Sequence, residues 1–203
     1  MTSFAIGCTH FNHVNIIELA NRPFDNVYQM NELMIENWNR VVKSDDIVYH
    51  LGDVAHWADI RHQRWFSKLN GQKVLILGNH DHDSYDTGTS LYELYREDVA
   101  EMTNYMDIRY KGKRFILFHY PMEDWNGRYR GSIHLHCHTH QSELKRPLLP
   151  YLSSSALTKE GEEGLVLPKS YPVGIRCNRF NVTVEAINYT PISLDEIIEQ
   201  SRI

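Results

Sequence analysis

Five short groups in this 203-residue chain carry side chains that bind transition metals: Cys8-x-His10, Gly52-Asp53, Gly78-Asn79-His80-Asp81, His119 and His138-x-His140. Imidazole is the commonest protein ligand for such ions, Asp53 offers a carboxylate that can bridge two cations, and Asn79 offers a neutral amide oxygen. Mixed nitrogen and oxygen donors of this kind suit manganese, iron, zinc or nickel better than calcium or magnesium. A single histidine at the end of a strand is more often a satisfied polar residue than a ligand, so the argument rests on all five groups together. On extended backbone the two x-spaced pairs would each point both side chains the same way, because side chains alternate with period two.

The groups sit where apolar runs stop. Phe4–Ile6 reads as a short buried strand before Cys8, Asp46–Leu51 as a strand before Asp53, and Lys73–Leu77 as a strand before Asn79. Tyr105–Tyr110 and Arg114–His119 read as a β-hairpin around Lys111-Gly112-Lys113, and Ile133–His136 as a strand before His138. Apolar residues at intervals of three and four (Val27, Met30, Leu33, Met34, Trp38, Val41) predict a helix over Asn26–Val42. Further helices are predicted over Ile60–Leu69, stopped by Asn70-Gly71, and around Leu91–Met102. Phe180, Val182, Val184 and Ala186 alternate as a last strand, and Ser193 caps a final helix, LDEIIEQS. Alternation of strand and helix with polar residues gathered beyond strand ends is the pattern of an α/β sheet, whose ligands bind at that edge.

The length fits one domain over residues 1–203, with the weakly patterned stretch 142–171 as a loop insertion, either a surface excursion or a lid or oligomer contact. No run of 18 apolar residues and no secretory signal pattern is present, so the expectation is a cytoplasmic protein without membrane partners. Three widely spaced cysteines, Cys8, Cys137 and Cys177, do not form a disulfide framework. Cys177 reads as a small buried apolar residue. A formal net charge of −5 gives no general attraction to nucleic acid, so a small substrate is favoured over a polyanion.

Taken in register, these groups resemble the motifs of the calcineurin-like metallophosphoesterases: Asp-x-His, Gly-Asp, Gly-Asn-His followed by an acid, a lone His, and Gly-His-x-His. The match runs from residue 8 to residue 140, and the closing FNVTVEAINYTPISLDEI is similar to the C-terminal end of small bacterial and phage members. The resemblance implies a four-layer α/β/β/α sandwich of two mixed sheets. It also implies two divalent metal ions (Mn, Fe, Zn or Ni), one held by position 8, His10, Asp53 and His140, the other by Asp53, Asn79, His119 and His138, with Asp53 as the bridge. Such a pair holds a hydroxide nucleophile and neutralises phosphoryl oxygens during in-line displacement. His80 is implied as the group that stabilises or protonates the leaving oxygen, with Asp81 orienting its imidazole. Asn12 and His13, just beyond the first motif, are candidates for touching substrate phosphate. His134 and His136, like His50, His56, His62 and His82, flank the motifs and read as structural or surface groups. Trp57 and Trp125 read as aromatic packing.

Two positions depart from the family, and both hold cysteine. Cys8 stands where the family has aspartate, and Cys137 where it has the glycine before His-x-His. Three readings stay open: Cys8 is a thiolate ligand that biases the site toward zinc or iron, Cys8 and Cys137 pair as a redox switch, or the change weakens the first metal site. The functional expectation is a metal-dependent phosphoesterase, acting on a phosphodiester rather than a monoester and on a small nucleotide-like phosphoester. The alternatives are a disabled or switched scaffold that binds, and a nuclease on DNA or RNA using a basic groove of Lys111, Lys113, Arg114, Arg128 and Arg130 beside the metals.

Overall fold

A computed structural model describes residues 1–55, 64–81, 95–140, 142–144 and 178–202. His56, Trp57, His62, His82, Cys177 and the stretch 145–171 lie outside them. Two mixed sheets form the frame. In the first, β1 (Ser3–Ile6), β2 (Ile47–His50), β3 (Gln72–Ile76) and β4 (Val99–Thr103) run parallel in the order β4-β3-β2-β1, and β9 (Ile192–Ser193) closes the edge antiparallel to β1. In the second, β5 (Tyr105–Tyr110) pairs antiparallel with β6 (Lys113–Phe118), and β7 (Ile133–His136) and β8 (Arg179–Asn181) extend it in parallel. The α/β class and the two mixed sheets are those expected. Among the described residues no helix is long and apolar enough to cross a membrane.

The parallel strands make the site. β1, β2 and β3 finish at one edge of the first sheet, and β6 and β7 finish together at one edge of the second, so five chain segments deliver their polar continuations to adjoining loops. Backbone bonds tie the two edges together: Gly7 N–H donates to Val182 O at 2.8 Å, and Val184 N–H donates to Gly7 O at 3.2 Å. The strand interiors are apolar because both faces are covered, as Ala5, Ile6, Leu75, Ile76, Ile116 and Leu135 show by their complete or nearly complete burial.

Helix α1 (Ile16–Leu19) is a single turn that the sequence did not announce. Helix α2 (Val27–Val41) is the helix expected, and its Asn26 side chain accepts the Gln29 N–H as an N-cap. Val27, Met30, Met34 and Trp38 face the core, each such burial being worth about 1.5–3 kcal/mol. Leu33, assigned to that face from spacing, is 37 % exposed. Asn31 and Asn37 take buried places instead, because Asn31 accepts the Asn12 N–H at 3.1 Å and Asn37 donates to Tyr189 O at 3.3 Å. Helix α3 (Leu194–Gln200) starts with a complete capping box between Ser193 and Glu196, as its sequence predicts.

Three boundaries differ from the sequence reading. Of the helix expected over Leu91–Met102, residues 91–94 lie outside the described chain, and Val99–Thr103 is strand β4, because the free edge of β3 offers it a parallel partner. Of the helix expected over Ile60–Leu69, residues 60–63 are not described and Trp65–Lys68 is a short 3-10 turn. The last strand stops at Asn181 rather than running to Ala186: Thr183 bridges Gly7, and Val184 N–H donates to Gly7 O, so the chain crosses from the second sheet to the first.

Candidate metal centre

The ligand segments are not extended. Cys8, His10, Asp53, His138 and His140 all have left-handed backbone, with φ of 54°, 49°, 55°, 71° and 46°. Asn12 shares it at φ 60°. Non-glycine residues in that region cost of order 1 kcal/mol or more each, and persist only where the surroundings hold them. Alternating left-handed residues, rather than the strand periodicity first inferred, turn the x-spaced pairs inward. The backbone around them is fixed by bonds such as Cys8 N–H to Gly52 O at 2.9 Å and His10 N–H to Asp53 O at 3.0 Å.

Asp53 is buried at the middle. Its Oδ2 lies 3.5 Å from His10 Nε2 and 3.5 Å from His119 Nε2, while its Oδ1 accepts the His80 N–H at 2.9 Å. On one side, Cys8, His10 and His140 bring their donor atoms within 4.8 Å of one another; on the other, so do Asp53, His119 and His138. Asn79 Oδ1 lies 3.1 Å and His138 Nδ1 3.2 Å from His119 Nε2. All seven residues expected as ligands therefore come together. Glycines clear the space: a Cβ on Gly78 would lie 2.3 Å from Asp53 Oδ1 and 2.7 Å from His119 Cε1.

The histidines are held in the form that binds metal. His119 Nδ1 donates to Leu51 O at 2.7 Å, which leaves the lone pair on Nε2 facing Asp53. Burial lowers the pKa of His119 despite the attraction of Asp53, and lowers that of His10 much further, with His140, Arg22, His80 and His13 adding to the effect. Both His10 ring nitrogens are buried without a hydrogen-bond partner. Buried polar atoms are nearly always satisfied, so an orphaned imidazole facing a carboxylate, an imidazole and a thiol marks a candidate cation site, and the donors present fit a transition metal.

His140 behaves differently. Burial works against its charge, but contact with Cys8 and with Glu185 outweighs that and pushes its pKa up to about 10. The Cys8 thiol responds in the opposite sense: burial would raise it, yet contacts with Cys137 and His140 bring it below its ordinary value. Contact between Cys8 and His140 thus shifts the two groups in opposite senses, the imidazole up and the thiol down.

Two supporting residues had no motif to reveal them. Glu185 Oε1 accepts from His140 Nδ1 at 3.1 Å and from Arg22 Nε at 2.8 Å. The buried Arg22 guanidinium also donates to Cys8 O at 2.8 Å and Thr9 O at 2.9 Å, so one side chain fixes both the first ligand segment and the partner of the last. The one available signal was an acid, Glu185, within the otherwise apolar and small run Val182–Ala186.

Asp81 takes a role other than the one expected. Its carboxylate accepts backbone N–H groups of Asp53 at 2.5 Å, Gly78 at 2.9 Å and Val54 at 3.0 Å. It locks the β2 and β3 loops against each other, instead of orienting the His80 imidazole. His80 is exposed at the mouth, its ring 5.3 Å from that of His10 and 6.4 Å from that of His13. His13 flanks the same opening, a cleft of about 280 Å³ whose other wall is Ile16, Leu19 and Ala20, and Asn12 lines a neighbouring cleft that shares His13.

The described flanking histidines, His50, His134 and His136, are buried in the frame. His134 Nδ1 donates to Ile116 O and its Nε2 accepts the Met122 N–H, both at 3.1 Å, and burial holds its pKa at about 4. His50 Nδ1 accepts the Gly52 N–H at 3.2 Å and its Nε2 meets Thr9 Oγ1 at 3.0 Å. His136 lies in β7, its ring 5.5 Å from that of His134. Trp125 packs with its indole N–H on Ser132 Oγ at 3.0 Å.

Among the described residues, the five basic side chains expected to form a groove do not gather beside the metal ligands. Lys111 is paired with Asp195, Arg114 with Asp107, and Arg128 lies over Trp125 and Tyr129. Lys113, Arg114 and Arg130 line a cavity with Arg109 where β6 and β7 begin. Strand β6 separates it from His119 by roughly 20 Å at about 3.3 Å per residue.

No family model matches the chain. The uncharacterised protein MJ1445 of Methanocaldococcus jannaschii is 35% identical to it over 198 residues, which is 97% of this chain and 89% of that protein. Among solved structures, the protein of unknown function AQ665 from Aquifex aeolicus has 27% identity and a TM-score of 0.60 over 98% of both chains. YfcE, a phosphoesterase from E. coli, is more distant, with 13% identity and a TM-score of 0.39 over 90% of this chain and 78% of its own. The chain belongs to the same family as the M. jannaschii protein, on the two-sheet α/β fold that resemblance to the calcineurin-like metallophosphoesterases implied.

Proposed function

We propose that this protein is a phosphoesterase that uses two divalent metal ions to hydrolyse a phosphodiester, with a small nucleotide-like phosphoester as its substrate. The observation that carries this reading is Asp53 Oδ2, 3.5 Å from the Nε2 atoms of both His10 and His119, each of which heads a separate group of donors. Cys8, His10, Asp53 and His140 would hold one ion, and Asp53, Asn79, His119 and His138 the other. When bound, such a pair supplies Lewis acidity toward the phosphoryl oxygens and an activated water.

The remaining work falls to the chain itself. Asp53, fixed through its own N–H and the His80 N–H, keeps the two donor groups in register. His80, exposed at the mouth, is placed to give a proton to the leaving oxygen. His13 and Asn12 border the space for the phosphate, and Ile16, Leu19 and Ala20 offer an apolar wall to the organic part of the ester. A thiolate at position 8 makes this donor set softer than one built from carboxylate, which favours zinc or iron over manganese.

Metal analysis together with turnover of an aryl phosphodiester tests the proposal, with Asp53→Asn as the control that removes the bridging charge. Cys8 motivates a second reading, a scaffold that binds phosphoesters without turning them over. Activity in the parent would sink that reading, whereas activity only in Cys8→Asp would replace the first reading with it.

A further inference from the structure

The second departure from the family pattern lies against the first. Cys8 and Cys137 are both completely buried and both free thiols, and their sulphur atoms, with a His119 nitrogen, lie within 4.8 Å of one another. The backbones that carry them are close. A Cβ on Gly7 would sit 2.7 Å from Cys137 Sγ, and the N–H of His138, next to Cys137, donates to Cys8 Sγ at 3.1 Å. The Cys137 thiol donates to Leu51 O at 2.9 Å, beside the His119 bond to the same carbonyl, and its sulphur joins Cys8 and His119 in a further donor group. A buried thiol that packs on a ligand segment, where the family needs only glycine, calls for a function of its own.

We propose that Cys8 and Cys137 form a reversible oxidation site, closing an intramolecular disulfide that withdraws Cys8 from the ligand set. With a peroxide as oxidant, the Cys8 sulphur attacks one peroxide oxygen, the O–O bond breaks, and the sulphur becomes a sulfenic acid while the departing hydroxide takes the Cys8 thiol proton and leaves as water. Cys137 sulphur then attacks the Cys8 sulphur, the S–O bond breaks, and the thiol proton goes to the departing hydroxide. Two thiols lose two electrons and two protons, and the peroxide becomes two waters. A dithiol reductant reverses the step by exchange. The site needs no large rearrangement, since the sulphurs already lie within 4.8 Å of one another, and their complete burial restricts the oxidant to a small one. The consequence for metal binding rests on the proposed function. Losing a residue that merely supports a ligand costs about 10–100-fold in metal affinity, and losing the ligand itself costs at least that.

The experiment uses the full chain carrying Cys177→Ser, so that a third thiol does not compete. Protein is treated with hydrogen peroxide, then alkylated, digested and mapped by mass spectrometry, with metal content measured on the same samples. The expected result is a peptide pair linked through residues 8 and 137, reversed by dithiothreitol, with at least about a tenfold drop in affinity for one metal ion. Cys137→Ala and Cys137→Ser should form no link and should keep metal through the same treatment until Cys8 itself is over-oxidised. Oxidation of Cys8 to sulfinic acid without the link, links only between separate chains, or a link that leaves the metal content of metal-loaded protein unchanged would overturn the proposal. The link is read without metal or turnover, so a chain that pairs these residues but binds no metal refutes the proposed function alone, while an active two-metal enzyme that never pairs them refutes only the switch.

Discussion

Glu185 touches no substrate space, yet it decides how His140 presents its remaining nitrogen. Its carboxylate takes the His140 Nδ1 proton and is held in turn by Arg22. Glu185→Gln should therefore lower metal affinity by about 10–100-fold with little change in fold, as measured by competition with a chromophoric chelator and by circular dichroism. Gly78→Ala should be more damaging, because its Cβ would meet the Asp53 carboxylate at 2.3 Å and no flexible chain end is there to yield. The expected outcome is loss of metal binding in a protein that still folds. At this scale the sequence showed the donors themselves, because ligand chemistry restricts which residue types can serve and the motifs preserve their spacing. The left-handed backbone at Cys8, His10, Asp53, His138 and His140 was hidden, since positive φ stays uncommon for any non-glycine residue, even for the His and Asp that favour it most. Arg22 and Glu185 were hidden because a support needs only reach its ligand in space. Asp81 was legible as important but not in its role, because sequence places it next to His80 while the fold turns its carboxylate onto three backbone N–H groups.

Elements with strong local signals were read correctly, and those defined by a partner were not. Helix α2 has its cap and its stripe within its own sequence, α3 its capping box, and the β5–β6 hairpin its two-residue turn with Lys111 and Gly112 both at positive φ. Strand β4 has no such pattern: its residues are half exposed, and only the open edge of β3 makes them a strand. The same logic explains why the last strand ends early, since the crossing from one sheet to the other is set by Gly7 and not by the apolar alternation after Phe180. Because α2 supports the first ligand loop through Asn31, its stability bears on the site. Asn26→Ala removes only the cap and should cost about 1 kcal/mol in urea unfolding, with metal affinity unchanged. Asn31→Ala also frees the Asn12 N–H, and should weaken substrate binding, read as a raised KM, more than it weakens metal binding.

Across the whole molecule, buried neutral histidines tie stability to pH. His134 has a folded pKa of about 4 against an ordinary value of 6.5, so between those values the unfolded chain takes up a proton that the folded chain refuses. Its contribution is complete above pH 6.5 and lost as pH falls through about 4, a swing of about 3 kcal/mol. His50, at about 3, acts in the same direction. His134→Gln, which can keep a donor and an acceptor in place, should flatten the fall in urea-unfolding stability over that range; an unchanged slope would show that other groups set it. The two sheets and the place where they meet are a property of the molecule that no single segment encodes, and they entered the sequence reading only through resemblance to a family. What the joined edges create is a pair of donor groups sharing Asp53. The most direct test is therefore metal content and aryl phosphodiesterase activity measured together on reduced protein. Two divalent ions per chain, activity lost on chelation and recovered on adding metal back, and neither ion pair nor activity in Asp53→Asn is the predicted result. Reduced parent protein that binds one ion or none, or that hydrolyses the ester equally well without metal, would contradict it.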